Sequence, residues 1–204
     1  MKLLSNYIPI LLLVSIQISC KPALKCQGDI QKYINDTENG LSSTFQKGPL
    51  IITLAWQPWQ LLANQSRNNQ VSNSQNDKID LSKYCYFILS MSNNKQELLR
   101  QLDYGLYSKM VQVFSFQMQS YLTISADRKE PVKPLDCLFQ QTYGTSDSNR
   151  LLVVFNMNEI KDAKELSISI KEFGLGLGIM NFTIYTKNMR IINDLNTKSI
   201  TSHP

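Results

Sequence analysis

The chain has 204 residues, with 21 Lys plus Arg against 16 Asp plus Glu and a single histidine. Its positive residues are scattered, with no basic stripe to follow a phosphate backbone, so nucleic acid is excluded as a partner. His203 lies next to the final proline, where chain ends fray, which excludes Ser-His-Asp, Cys-His and histidine-based metal chemistry from an ordered core.

The chain opens with one positive charge, Lys2, then an apolar run over residues 8–16, the layout of a secretory signal peptide. The run falls short of the roughly 20 apolar residues of a membrane span. Gln17-Ile18-Ser19-Cys20 follows. A small residue directly before a cysteine resembles the bacterial lipobox, although Gln17 stands where Leu, Val or Ile is usual. Residues 1–19 are therefore read as a signal peptide and Cys20 as the lipidation site. Ordinary secretion and an uncleaved anchor are the alternatives.

Residues 20–48 are polar and read as a lipid-attached tether and lead-in segment that orders near Tyr33-Ile34 and turns at Asn39-Gly40. Residues 49–204 read as one β-rich globular domain, long enough to bury a core unaided. If Cys20 carries lipid, Cys26, Cys85 and Cys137 remain, which allows at most one disulfide. Cys85 and Cys137 both lie in apolar segments; a bridge between them and two buried free thiols are the alternatives.

Residues 50–56 (Leu-Ile-Ile-Thr-Leu-Ala-Trp) predict a strand ended by Pro58, which cannot donate to a ladder. A short helix can open at residues 57–62. Residues 64–78 hold one apolar residue in fifteen and predict a surface loop inside the domain. Residues 84–91 are apolar on both faces and predict a central strand, with a turn at Asn93-Asn94. Leu98, Leu99, Leu102 and Leu106 have helical spacing and predict a helix over residues 95–107. A change from helix to strand is placed near Phe116. Strands follow at residues 121–124, 135–143, 151–155, 166–170 and 182–185, with a short closing element over 189–195. The fold class is α+β, mainly an antiparallel sheet or sandwich of about seven or eight strands with two short helices.

Gly174-Leu175-Gly176-Leu177-Gly178 lacks the G-x-G-x-x-G spacing and following helix of a dinucleotide loop, and reads as a hairpin or bulge. Glu159, Asp162 and Glu165 lie in a solvated segment; Asp136 and Glu172 flank strands. No catalytic, cofactor-binding or metal-ligating residue is assigned, and the expectation is a protein that is not an enzyme. Trp56 and Trp59 bracket Pro58, and Tyr84, Tyr86 and Tyr143 lie elsewhere. Such aromatics stack on sugars, anchor partners or simply fill the core; Trp59 is the better candidate for exposure.

The segment Tyr33-Ile34-Asn35-Asp36-Thr37-Glu38-Asn39-Gly40-Leu41, the strand ending near Gln57-Pro58, Leu135-Asp136-Cys137, Gln140-Gln141-Thr142-Tyr143-Gly144, the apolar run at 151–155, Phe173-Gly174-Leu175-Gly176 and Asn181-Phe182-Thr183-Ile184 form one pattern. It resembles a family of small, uncharacterised lipoproteins of Bacteroidetes-type bacteria. The resemblance implies a lipid-anchored envelope protein and no catalytic residues. Lys21-Pro22, in place of acidic residues after the cysteine, implies a periplasm-facing position. The leading functional expectation is a partner-binding or scaffolding lipoprotein; the alternatives are a glycan- or lipid-binding module and, last, a carboxylate-based hydrolase.

Overall fold

The computed structural model describes residue 24, residues 26–63 and residues 80–194. Residues 1–19, expected to be a signal peptide, Cys20, the polar run at 64–78 and His203 lie outside the described residues.

The domain starts earlier than residue 49. Helix α1 (Gln27–Asn35) opens on Cys26, whose sulfur accepts the Asp29 N–H while the Asp29 carboxylate accepts the Cys26 N–H, a reciprocal cap. Cys26, Ile30 and Ile34 recur every fourth residue, and all three are buried. Leu41 is buried as well, and strand β1 (Ser42–Lys47) pairs along its whole length with β2 (Leu50–Gln57). The lead-in segment is thus part of the fold from residue 26 onward.

Strand β3 (Tyr84–Asn93) occupies the expected central position, between β2 and β7 (Asn149–Asn156). The turn after it uses Asn94 and Lys95, both at positive φ, the geometry a tight hairpin requires. It leads into β4 (Gln96–Glu97). The expected helix over 95–107 does not form as one piece. A 3₁₀ turn covers Leu98–Gln101, Leu102 is extended, and α2 (Tyr104–Gln112) starts afresh because the Asp103 carboxylate caps the Leu106 N–H.

The helical path then runs through a π turn (Val113–Gln117) and a last turn (Met118–Tyr121) before β5 (Leu122–Ala126). The change to strand therefore comes at Leu122, not at Phe116. Met110, Phe114 and Met118 form the buried face at four-residue spacing, while the widened turn leaves Phe116 85% exposed.

Strand β6 (Asp136–Gln140) is an edge beside β7; β8 (Glu165–Ile170) sits between β5 and β9 (Met180–Tyr185); helix α3 (Thr186–Asn193) closes the described chain. Among the described residues every strand pairing is antiparallel, and the fold is α+β with nine strands in a six-stranded and a three-stranded sheet.

Alternation puts one face of each sheet into a single core. Across the larger sheet, Trp56 faces Phe87, which faces Val153, which faces Cys137. Across the smaller sheet, Ile124, Ile168 and Phe182 form the matching row. All seven side chains are buried in one continuous cluster. Phe87 and Phe155 meet edge to face at 6.0 Å, and each such ring stabilises the fold by about 1.5–3 kcal/mol through burial.

Cys85 and Cys137 are free thiols, and the bridge between them does not form. They lie on β3 and β6, on opposite sides of β7, opposite Phe155 and Val153 respectively. Two strand spacings come to about 10 Å, beyond the roughly 7 Å of Cα separation that a disulfide tolerates.

Candidate functional site

A cavity of about 300 Å³ opens between β4, the 3₁₀ turn, α2 and the residues after β6. Its size is at the lower end for small-molecule sites. Two stretches of chain build it, residues 97–111 and residues 139–149, and a buried carboxylate ties one to the other.

That carboxylate is Glu97, 3% exposed. Its Oε1 accepts the Thr142 hydroxyl, the Gly144 N–H at 3.0 Å and the Ser146 N–H at 3.3 Å; its Oε2 shares the Gly144 N–H at 3.0 Å. Burial of a carboxylate is costly unless donors surround it, and here the donors come from one loop. Glu97 therefore fixes the shape of residues 142–146 against β4.

The pinned loop presents Tyr143. Its φ is +49, a left-handed backbone that a bulky residue rarely adopts, and its side chain is 88% exposed. Backbone held in such a region is found where the surrounding contacts fix a functional geometry. Gly144 follows at φ +83, and a Cβ there would sit 2.7 Å from Arg100 Nη1. Glycine thus lets Arg100 lie flat against the loop, where Nη1 donates to the Gly144 carbonyl at 3.3 Å. Among the described residues no carboxylate lies within ion-pair distance of Arg100.

The floor carries Asn149, the first residue of β7 and only 2% exposed. The Leu99 N–H donates to its Oδ1 at 2.9 Å. A backbone N–H can only donate, so this bond fixes which end of the amide is oxygen. The amide nitrogen is left for the cavity and has no acceptor among the described residues. Asn149 as a residue is almost wholly buried, yet its amide nitrogen is open to the cavity: the fully enclosed side-chain polar atoms without a partner, among the described residues, are Gln60 Oε1, Asn93 Oδ1 and Asn193 Oδ1. Leu99, Val111 and Phe139 supply apolar lining, and Tyr107 from α2 and Tyr143 line the same cavity.

The sequence-derived candidates fall elsewhere. Trp56 is 2% exposed and packs in the core, so it is not a binding aromatic. Trp59 is half-buried in the helical residues 59–63 and does not line the cavity. Tyr84 and Tyr86 pack edge on, 6.3 Å apart on β3. Tyr143 alone of the named aromatics reaches the site. Glu159 and Asp162 are exposed and Glu165 is half-buried in β8. Among the described residues no three His, Cys, Asp or Glu side chains converge as a metal site, and no helix is long and apolar enough to cross a membrane.

Glu97, Arg100, Tyr107 and Asn149 escaped the sequence reading. The available signals were a polar residue opening an apolar strand, Asn149, and the Thr142-Tyr143-Gly144 turn.

The glycine-rich segment lies in the connection of the antiparallel β8–β9 hairpin, as expected, and is not a phosphate loop. Its N–H groups at Gly174, Leu175, Gly176, Leu177 and Gly178 all donate to the carboxylate of Glu172. Gly174, Gly176 and Gly178 have positive φ, which turns successive N–H groups inward into an anion nest that the chain fills itself. Burial pushes the Glu172 pKa up, but the N–H groups of Gly174, Gly178, Gly176 and Leu175 together outweigh it and hold the carboxyl at about 2.

No protein-family model matches the chain, and comparison with curated proteins and with solved structures gives no match either.

Proposed function

We propose that the protein is a non-enzymatic glycan-binding module, held at a bacterial envelope through lipid on Cys20 and facing the periplasm. The observation that carries the proposal is the unpartnered Asn149 amide nitrogen in the floor of a cavity flanked by Tyr107 and the exposed Tyr143. Flat aromatic rings take the C–H face of a sugar, and planar polar side chains take its hydroxyls. Binding is favoured over hydrolysis because glycoside chemistry uses a pair of carboxylates. Glu97 is the one carboxylate among the described residues that line the cavity, and loop donors already engage it. The test is a thermal-shift series of the purified protein with sugars, wild type beside Tyr143→Ala. Sugar should raise the melting temperature of the wild type and do so much less for the variant. A wild type indifferent to every sugar would remove the proposal.

A second reading, a protein-partner or scaffolding role, is favoured by exposed Phe116 together with exposed Leu135 and Leu138. Gln119 holds this region together by donating to the carbonyls of Pro134 and Leu135. Cross-linking in membranes followed by capture should yield a specific partner that Phe116→Ser loses; repeated recovery of the protein alone would count against it.

A further inference from the structure

We infer that the sugar this cavity selects is an N-acetylated amino sugar, an inference that rests on the glycan-binding reading. The polar and apolar groups of the cavity are arranged as an acetamido group requires. Asn149 is a largely buried residue whose Nδ2 has no acceptor among the described residues and is open to the cavity, and a ligand carbonyl oxygen is a group that would pair with it. The Leu99, Val111 and Phe139 side chains beside it form an apolar wall suited to a methyl group. Phe139 is itself braced edge to face on Phe114 at 5.4 Å, so that wall is fixed.

A plain hydroxyl would meet the donor but leave the apolar wall wet. A lipid tail would cover the wall but leave the amide nitrogen unpaired. An acetamido group answers both in one planar unit. Its own N–H then finds an acceptor in the Gln141 side chain, which lines the same cavity. The charges agree with a neutral ligand: Arg100 and Glu97 are the charged residues among those lining the cavity, and their signs oppose. Tyr143 supplies a stacking face for the pyranose ring.

The test is titration calorimetry of the purified full-length protein with N,N′-diacetylchitobiose and with cellobiose, which has the same backbone and linkage but no acetamido groups. The acetylated disaccharide should bind about tenfold tighter, the scale of one hydrogen bond that the bound sugar shields from water. Asn149→Asp keeps the acceptor for the Leu99 N–H but cannot donate when ionised, and should bring the two affinities within about threefold of each other. Tyr143→Ala should weaken both alike. Equal affinities in the wild type, or a preference unchanged in Asn149→Asp, overturns the choice of an acetylated sugar while glycan binding stands. Absence of binding by both disaccharides overturns the choice of an acetylated sugar, and the thermal-shift series across sugars then decides whether glycan binding stands. If circular dichroism shows Asn149→Asp unfolded, the wild-type ratio alone decides.

Discussion

Replacing Glu172 with alanine empties the nest formed by residues 174–178. Five backbone N–H groups then lose an ionised acceptor, and the Gly176 carbonyl still receives Lys47 Nζ at 2.9 Å from the end of β1. Hydrogen bonds to a charged group net about 1.5–3 kcal/mol when buried. Glu172 is exposed, so solvent screening brings each bond down to the few tenths typical of surface pairs. The expected loss is about 2 kcal/mol in all, or about 4–8 °C of melting temperature for a domain of this size. Glu172→Gln should fare little better, because its amide NH₂ faces donors.

The pH dependence carries the same signature. The folded pKa of about 2 lies below the ordinary 4.5, so the stabilisation is present above 4.5 and is lost as pH falls toward 2. Urea melts of wild type and Glu172→Ala should therefore converge across that window. Sulfate should also stabilise the alanine variant more than the wild type, since an empty nest accepts an external anion; general salting effects act on both. A variant that melts with the wild type at neutral pH, or a stability gap that does not shrink in acid, would refute the assignment of the nest.

Three further outcomes are expected. Gly144→Ala places a side chain at φ +83 and against Arg100, and should cost about 1–2 kcal/mol by denaturant melts while weakening sugar binding. Burial pushes the Cys85 thiol far above its ordinary value, and burial, with the Asp136 charge adding to it, pushes Cys137 up to about 12. Both should resist alkylation in the folded protein and react fully in urea, as mass spectrometry would show. Cys20→Ala should abolish the lipid mass on the mature N-terminus; an unmodified N-terminus at another residue in the wild type would refute the tether.

Strands that carry one clean period were legible in the sequence. Leu166-Ser167-Ile168-Ser169-Ile170 alternates as β8 does, and the two-sided apolar run at 84–91 marked the central strand β3. Helices were harder. Leu98, Leu99, Leu102 and Leu106 kept a helical spacing across a break that Asp103, as a cap, imposes. After α2 the π turn leaves exposed Phe116 between buried Phe114 and Met118, so a helical path imitated the two-residue period of a strand. Helix α1 hid behind polarity, with Cys26, Ile30 and Ile34 as its buried stripe.

The site was legible only at Tyr143. Glu97 and Asn149 acquire meaning through partners 45 to 50 residues away, Thr142 and Leu99, and no local pattern encodes such a pairing. The glycine run was visible, but its purpose depended on Glu172, two residues upstream of the first glycine.

The most direct measurement is an amide NMR titration of the protein with N,N′-diacetylchitobiose. Shift changes should concentrate on residues 97–111 and 139–149, with the Asn149 side-chain amide moving most. Changes centred on Trp59 or on the Phe116 surface, or none at saturating sugar, would contradict the assignment of the cavity beside Tyr143 as the binding site.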